Sequence, residues 1–457
     1  MVFDSFACLR PWSTIVHPCV LYAGEDVVLI DIPGSIAAAQ GTTDNPCTKR
    51  LVSCTPQQIS FPNHEPKSEA AKTKLREKMA TKVDDEYADT VNQALTRLET
   101  KHSGDYCLSR SIISEECPSG KKRKVEEVQN SASDQDSVPG EPQLKKRGLS
   151  SNTVSTYQSF PSDVLHYLAA NDTSTTSLYS IRWSDSSDTH ASNKAIEWHH
   201  YLHNTSEHPR IIEISSNDSC SYTFNVPPNA VAFLADCAES QSFHVSVRNL
   251  AQEHDTKRQF DLIVMDPPWP NASVKRTAKT GKSSYQIMPT MWDMRQLLFG
   301  MDIDVLLAEG GLIALWITNK PAVRDLVLGE DGLFESWGIT LEEEWLWIKT
   351  TRLGRPITEI DALWRKPYEV LLLGRKRRTL ADPNHATTRQ GNVKRRVIAG
   401  VPDLHSRKPC LKILFEAFLL ASCEYRALEI FARHLVAGWW SWGNEVLKFN
   451  HVACWTS

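Results

Sequence analysis

The chain lacks the patterns that would mark a structural zinc site, a disulfide framework or a membrane span. Its 11 cysteines include no Cys-x-x-Cys pair and no Cys/His cluster at zinc spacing. No apolar run approaches the roughly 18 residues that a membrane helix needs, and no charged stretch followed by an apolar one opens the sequence. We therefore expect free thiols in a reducing compartment, no metal site, no membrane segment and no secretory signal.

An excess of charge of one sign is also missing. The 51 Lys and Arg residues face 55 Asp and Glu residues, which gives a formal net charge of −4 over 457 residues. This balance carries no signal for nucleic acid over the whole chain, so a site for a polyanion has to be local. The length allows two or three domains with ample material for a core.

Composition divides the chain into three predicted regions. Residues 1–102 read as an α+β extension with a hairpin over 12–41 and a helix over 68–100, and we expect the hairpin to pack on the third region. Residues 103–160 are poor in aromatic residues and rich in Ser, Pro, Glu and Lys, which predicts a disordered linker. Residues 161–457 alternate strand and helix patterns, which predicts an α/β fold with a doubly wound, mostly parallel sheet.

Two short basic clusters lie in the predicted linker, KKRKV at 121–125 and LKKR at 144–147. Compact basic clusters in a flexible segment suit nuclear import receptors, so we expect such a receptor as a partner and the nucleus as the location. The plainer alternative is a pair of solvated charge runs, which are frequent in proteins.

Seven strand patterns stand out in the third region. They are IIEI (211–214), AVAFLAD (230–236), FDLIVMD (260–266), LIALWIT (312–318), WLWIKT (345–350), YEVLLLG (368–374) and ALEIFAR (427–433). Helical patterns at 291–301 and 408–420 separate some of them. In sheets of this kind ligands bind outside the carboxyl ends of the strands.

The stretch FDLIVMDPPWPN at 260–271 places an acid at such an end. Two prolines fix the turn after Asp266 and have no N–H, which leaves their carbonyls as acceptors. A carboxylate and a carbonyl on a rigid turn suit an aromatic amine, and Trp269 offers a flat face for a heterocycle. The alternative is a polar strand end with a turn and a partly buried tryptophan. The pattern favours a site that grips an adenine by its exocyclic amine.

No G-x-G-x-G fingerprint follows a strand before this motif, but longer motifs narrow the interpretation. MDPPWPNASVKR, LWITNK, WLWIKT, KPYEVLLLGR, LHSRKP and EIFARHLVAGWWSWGNEVLKF resemble the eukaryotic adenine-N6 methyltransferase family typified by the 70-kDa mRNA methyltransferase subunit. Within it the chain is most similar to the branch called methyltransferase-like protein four. The resemblance is dense over 230–457 and weaker near 13–41. It implies a Rossmann-like methyltransferase sheet and S-adenosylmethionine as cofactor.

The resemblance also implies roles around the acceptor base. Asp266 would accept one hydrogen of the amine and the Pro267 carbonyl the other, while Pro268 shapes the loop and Trp269 walls the base pocket. Further substrate-binding residues would be Asn271, Tyr285, Lys275 and Arg276. Tyr285 alone, or any single basic residue, is as readily explained as an ordinary surface side chain. Further candidates for phosphate contacts are Lys279, Lys282, Arg352, Arg355, Lys394, Arg395 and Arg396.

A second set of residues matches the family's cofactor site. It comprises Asp236, Cys237, Lys408, Glu429, Arg433, His434, Asn444 and Glu445. Carboxylates and amides suit the cofactor's hydroxyl groups, and a cation suits its carboxylate. The branch usually has Asn where His434 stands. Taken alone, Glu429 and Arg433 could be an i, i+4 surface pair, and Lys408 an ordinary lysine opening a helix.

We therefore predict an S-adenosylmethionine-dependent enzyme that methylates the N6 amine of adenine in nucleic acid. The resemblance implies 2′-O-methylated adenosine in small nuclear RNA, with adenine in DNA as a further substrate; RNA is preferred because its unpaired bases are readily splayed out. We expect a monomer. Two alternatives stay open, a protein or small-molecule amine methyltransferase and a non-catalytic RNA-binding partner in a methyltransferase complex.

Overall fold

The computed structural model of the protein describes residues 11–62, 68–70, 73, 82–112, 162–169, 179–184, 200–216, 221–270, 290–362, 365–377, 393–404, 407–419 and 425–456. Most of the predicted linker, both of its basic clusters, and the substrate-binding candidates Asn271, Tyr285, Lys275 and Arg276 lie outside these residues. Those interpretations, and the boundaries of the three regions, stay predictions.

The described strands form one large sheet and two small ones. In chain order they are β1 Val20–Ala23, β2 Val27–Ile30, β3 Arg50–Ser53, β4 Ser111–Ile112, β5 Tyr179–Ser184, β6 Tyr201–His203, β7 Arg210–Ser216, β8 Ser221–Val226, β9 Val231–Phe233, β10 Phe260–Met265, β11 Leu307–Ile317, β12 Ile339–Lys349, β13 Tyr368–Lys376, β14 Lys394–Gly400, β15 Ala427–Ile430, β16 Trp440–Trp442 and β17 Trp455–Thr456.

The helices cover the sheet and its ends. They are α1 Ile32–Ala38, α2 Lys82–Lys101, α3 Ser162–Ala169, α4 Ser240–Glu253, α5 Met291–Phe299, α6 Ile303–Leu306, α7 Pro321–Leu328, α8 Leu333–Ser336 and α9 Lys412–Leu419, with short 3-10 helices at Trp12–Thr14, Lys448–Asn450 and Val452–Cys454. None of the helices in the described part of the chain is both long and apolar enough to cross a membrane.

The large sheet confirms the predicted α/β architecture. Its strands lie in the order β1-β2-β14-β12-β13-β11-β10-β15-β16-β9-β6, and β13 runs antiparallel between β12 and β11. From β11 through β10, β15 and β16 to β9 every pairing is parallel. The carboxyl ends of these strands therefore meet at one edge of the sheet.

Strand β10 shows why the centre of the sheet is stable. Leu262 and Val264 face one apolar layer, and Ile263 and Met265 face the other. A strand buried on both faces reads as a continuous apolar run instead of an alternating one. The sequence FDLIVM therefore forms a central strand, and after the buried run Leu262–Met265 the partly exposed Asp266 falls where the chain leaves the sheet.

The amino-terminal hairpin is part of the same sheet. Strand β2 pairs in parallel with β14, with Val28 opposite Ile398, so the hairpin packs on the third region as expected. Its bounds differ from the sequence pattern, since a 3-10 helix stands at Trp12–Thr14 where a strand was expected. The segment after β2 begins helix α1, because Asp31 caps it through Gly34 N–H at 2.8 Å.

Helix α2 is joined to the sheet by buried polar groups. The Tyr87 hydroxyl donates to Glu344 at 2.9 Å, and Arg324 of α7 donates to the same carboxylate at 2.6 Å. Arg395 bridges Glu344 and Glu86 of α2. These bonds fix α2 beside β12, β14 and α7.

The predicted strand IIEI lies outside the large sheet. It forms β7, which pairs antiparallel with β5 and β8 in a separate three-stranded sheet. The third sheet, β17-β3-β4, joins the last strand to the amino-terminal region. The sequence pattern identified the strand in β7 but not its partners, because an apolar run does not specify which sheet it enters.

Candidate active site

Asp266 follows β10 directly and faces a cleft at the carboxyl edge of the sheet. Its side chain is 31% exposed, and its carboxylate lies 3.6 Å from Lys408 Nζ. Within the described residues no backbone N–H donates to this carboxylate. The acid is therefore available to a ligand, as the sequence interpretation requires.

The cleft brings together five of the predicted site residues. Its volume is about 50 Å³. The predicted residues that line it are Asp266, Lys408, Glu429, Arg433 and His434; Val264, Trp316, Arg407, Phe431 and Phe449 are among its other walls. A space of this size admits only a few atoms, so a larger ligand would extend out of it along the strand ends.

Lys408 is the cation of the cleft that pairs with Asp266. Its ammonium group bonds Glu369 of β13, faces Asp266 and lies 4.6 Å from the centre of the Trp316 ring. Burial would lower the pKa of Lys408, but Asp266 and Glu369 outweigh it and raise the pKa. Burial would raise the pKa of Glu369, but the charges of Lys408 and Lys349 outweigh it and lower the pKa to about 2. Lys408 does not open a helix, since α9 begins at Lys412.

Glu429 is the neutral acid of the cleft. It lies in β15 opposite Val264, so its carboxyl group is close to Asp266. Burial and the charge of Asp266 raise the pKa of Glu429 to about 8, against the opposing effect of Arg433. Glu429 is therefore mostly protonated at neutral pH and can donate a hydrogen bond, while Asp266 beside it accepts.

The chain bends sharply after β15. Phe431, which follows the strand, has a φ of 62°, a left-handed conformation that is strained for a bulky residue. The bend brings Arg433 into the cleft beside Glu429. Because Glu429 is in a strand, the i, i+4 helical surface pair considered from the sequence does not form.

Arg433 has a different acidic partner. Its Nε lies 3.4 Å from Glu445, and Lys448 lies 2.7 Å from the same buried carboxylate. Glu445 therefore acts in this structure as a buried counter-ion. His434 is 9% exposed; burial and Arg407 lower its pKa to about 4, and its Nε2 is buried with no hydrogen-bond partner in the described part of the chain.

The other predicted cofactor residues lie on the same sheet edge, outside the small cleft. Asp236 follows β9 and accepts from Ala238 N–H at 2.9 Å. Cys237 is buried, and burial raises the pKa of its thiol, so it is an inert side chain. Asn444 is half-buried just after β16. Strand β16 neighbours β15, and β9 lies beyond β16, which places these groups beyond Glu429 on the edge.

The loop after Asp266 is more fully bonded than the sequence suggested. The Pro267 carbonyl accepts from Trp269 N–H at 2.8 Å, which leaves it one lone pair for a ligand. Trp269 is 9% exposed, and its indole N–H donates to the Trp316 carbonyl at 2.8 Å. The Trp269 ring packs in the core and anchors the loop, while Trp316, itself 4% exposed, is one of several aromatic side chains that line the cleft. Pro268 lies between these fixed points.

Several residues at the cleft were not predicted from the sequence. Trp316, Glu369 and Arg407 were not selected, although Trp316 and Glu369 lie in the quoted motifs LWITNK and KPYEVLLLGR. The predicted basic rim is partly wrong: Arg396 is fully buried against Glu343 at 2.8 Å, so it cannot contact phosphate. Among the described residues no group of three or more His, Cys, Asp or Glu residues could hold a metal ion.

The comparisons with known proteins agree with this geometry. The family model described as MT-A70 matches residues 260–445. Over 196 residues the chain is 45% identical to "N6-methyladenosine RNA methyltransferase MTA1" of Cryphonectria parasitica, which covers 43% of this chain and 54% of that protein. It is 37% identical over 203 residues to "N(6)-adenine-specific methyltransferase METTL4" of Homo sapiens, covering 43% and 39%.

A nematode protein extends the comparison to DNA. The chain is 32% identical over 248 residues to "DNA N6-methyl methyltransferase" of Caenorhabditis elegans, covering 53% of this chain and 58% of that protein. The matches thus span between about two fifths and three fifths of the relatives' lengths. The range of the family model contains Asp266, Lys408, Glu429 and Arg433. The resemblance seen in the sequence is confirmed, and residues 260–445 of this chain match the MT-A70 family model.

Proposed function

We propose that the protein transfers a methyl group from S-adenosylmethionine to the N6 amine of adenine in nucleic acid. The observation that carries this proposal is the carboxylate of Asp266, which stands at the cleft mouth without a backbone donor among the described residues. A buried acid satisfied by its own backbone would have no capacity left for an amine. The names of the relatives support adenine as the acceptor.

The chain's own groups suit the amine. Asp266 accepts one N–H of adenine N6, and the remaining lone pair of the Pro267 carbonyl accepts the other. Two acceptors on a fixed turn draw the nitrogen toward tetrahedral geometry and aim its lone pair, which is otherwise spread into the ring. Trp316 supplies an aromatic face. Lys408 pairs with Asp266 at 3.6 Å and holds it at the cleft.

The residues present fit the proposed cofactor. S-adenosylmethionine, when bound, supplies an activated methyl group. Lys408 would face its carboxylate, while protonated Glu429 and neutral His434 offer hydrogen bonds to its polar groups; the unpartnered buried Nε2 of His434 is the clearest sign of a missing ligand group. Asp236 and Asn444 would hold its more distant hydroxyl and amine groups. Arg433 would position Glu429.

The substrate we propose is an adenosine in single-stranded or looped RNA whose ribose is already methylated, as in small nuclear RNA. Adenine in DNA is the second proposed substrate. A base inside a duplex cannot bring its amine to Asp266, so the target has to be unpaired or flipped. The relatives carry both RNA and DNA in their names, so the two acceptors need a direct comparison. We further propose a nuclear monomer imported through KKRKV and LKKR.

The test is transfer from methyl-labelled cofactor to matched RNA and DNA oligonucleotides that carry one unpaired adenine, followed by nucleoside analysis. We expect labelled N6-methyladenosine from RNA, in higher yield when the ribose carries a 2′-O-methyl group. A peptide carrying side-chain amides and amines serves as the competing acceptor. Label on the peptide but not on adenine would establish the amine methyltransferase instead, and RNA binding without cofactor binding would establish the non-catalytic partner.

A further inference from the structure

A second and larger cavity opens beside the cleft. Its volume is about 560 Å³, within the range of roughly 300–1,000 Å³ that is usual for ligand pockets. It lies at the carboxyl end of β11, between α2 and α7. Its walls include Val83 and Tyr87 of α2, Ile317 and Thr318 of β11 and the turn after it, and Ala322 of α7.

The cavity is tied to the loop that carries Asp266. The Trp269 indole donates to the carbonyl of Trp316, and Lys320 donates to the carbonyl of Pro270. Trp316 lines the cleft, whereas Ile317, the next residue of β11, lines the cavity. Successive side chains of a strand point to opposite faces, so one strand end divides the two openings.

The polar groups of the cavity suit a base and exclude a phosphate as the main ligand. Two acids, Asp84 and Asp325, balance two bases, Lys320 and Arg324, and Arg324 is bonded to Glu344. A cavity without net positive charge has little attraction for a phosphate. The ring and N–H groups of a nucleobase instead match its apolar walls and its acceptors.

Two groups point to a missing polar ligand. Thr318 Oγ1 is buried and has no hydrogen-bond partner in the described residues. Asn319 donates its amide N–H to the Tyr368 carbonyl at 2.7 Å, which leaves its amide oxygen as an acceptor. Buried hydroxyl groups are normally hydrogen-bonded, so a ligand with both a donor and an acceptor would complete this wall.

We propose that this cavity holds the base of a nucleotide next to the target adenine in a single-stranded nucleic acid. The proposal rests on the proposed function, since it makes the cavity a subsite for the same substrate. Single-stranded nucleic acids are read by splaying neighbouring bases into separate pockets. The cavity thereby gives α2 of the amino-terminal region a part in choosing the sequence around the adenine.

The experiment combines an altered protein with an altered substrate. Ala322→Trp places a large side chain at an exposed position that lines the cavity. Glu330→Trp is the matched control, because Glu330 is exposed beyond the end of α7 and, although it follows the lining residue Gly329, does not itself line the cavity. Each protein methylates an RNA with one unpaired adenine and a series in which each flanking base in turn is replaced by an abasic residue. Thr318→Val removes the unpartnered hydroxyl without changing the volume.

We expect one abasic position to lower kcat/KM of the unaltered protein and of Glu330→Trp by about tenfold, as the loss of one bound base would. For Ala322→Trp, kcat/KM with the intact RNA should be about tenfold lower than for the unaltered protein and should not fall further at that abasic position. For Thr318→Val, kcat/KM should fall less at that position than it does for the unaltered protein. Equal kcat/KM values and an equal response in both Trp variants would overturn the cavity proposal. So would indifference of the unaltered protein to every flanking base.

Photo-crosslinking separates this proposal from the proposed function. RNA carrying 4-thiouridine beside the adenine should crosslink to residues 317–325 or 82–87, and Ala322→Trp should abolish the crosslink. Methyl transfer without any crosslink or variant effect there would remove the cavity proposal and leave the function intact. A crosslink in a protein that transfers no methyl group would refute the function while supporting a nucleotide in the cavity.

Discussion

Two clusters of carboxylates in this sheet differ in how completely they are paired. Glu343 accepts from Arg396 through both oxygens, at 2.8 and 3.1 Å, and from the Trp345 indole at 2.7 Å. At the cleft, Asp266 has one ammonium group at 3.6 Å, and Glu429 is a raised-pKa acid beside it. An acid whose oxygens all have hydrogen-bond or ion-pair partners is typical of a structural role. An acid that can still form a hydrogen bond is typical of a ligand site.

The largest effect should come from breaking the paired cluster. Glu343→Gln leaves the fully buried guanidinium of Arg396 without a counter-charge, which should lower the free energy of unfolding by about 3–5 kcal/mol. Urea unfolding measured by tryptophan fluorescence would show the change in midpoint. A midpoint equal to that of the unaltered protein would mean that the pairing difference does not separate structural from functional acids.

The opposite behaviour is expected of Asp266. Asp266→Asn replaces an acceptor that is needed to aim the amine, so kcat/KM for adenine methylation should fall by about 100-fold or more, with an unchanged urea midpoint. Glu330→Gln, an exposed acid remote from the cleft, is the control and should leave both quantities unaltered. Near-normal transfer by Asp266→Asn would refute the role given to this carboxylate.

The pH dependence of stability should distinguish the two clusters more finely. The pKa of Glu429 is about 8 in the folded protein, above its ordinary value near 4.5 in the unfolded chain, so the folded state holds the proton more tightly. The stabilisation is present below pH 4.5 and is lost as pH rises through about 8. Glu429→Gln should therefore gain stability relative to the unaltered protein between pH 5 and 8.

Urea midpoints of the two proteins in the absence of cofactor, taken at steps across that range, measure this difference. Because other groups titrate in both proteins alike, only the difference between the two curves reports Glu429. A constant difference from pH 5 to 8 would show that Glu429 is already ionised in the folded protein.

The smallest effect concerns His434. Its pKa of about 4 makes it neutral across the physiological range, and Asn can supply the same uncharged hydrogen bonding. His434→Asn should change cofactor affinity by no more than a few fold, with no new pH dependence between 6 and 8, as measured by calorimetric titration. A loss comparable to that of Lys408→Ala would mean that the imidazole itself is required.

The sequence predicted where strands end better than it predicted which side chains pair between neighbouring strands. An unbroken apolar run before Asp266 could be read directly, because a strand buried on both faces has no polar positions. Strand β14 was missed since it begins KRR, and Arg396 enters the core only because Glu343 of the neighbouring strand neutralises it. Strand β16, only three residues long, gives too short a pattern to detect.

The site could be identified by residue type but not by pairing. The motifs selected Lys408, Glu429 and Arg433, which the structure brings to one cleft. They did not predict that Glu445 would be held by Arg433 and Lys448, nor that Trp316 would line the cleft while Trp269 does not. Lys448 and Glu445 are three residues apart, but the other contacts join segments more than ten residues apart. One sequence contains no information on which of several similar side chains turns toward a neighbour.

The pairing of β2 with β14 sets a limit on dissection of the protein. A fragment that starts at residue 161 would retain every polar residue of the cleft but would lose Ile36 from its wall. It would also uncover the edge of β14, where Val397, Ile398 and Ala399 are now buried. An open apolar edge recruits other strands and promotes aggregation. Soluble catalytic fragments will therefore need the first hundred residues, either in the same polypeptide or added back as a separate peptide that restores the missing edge.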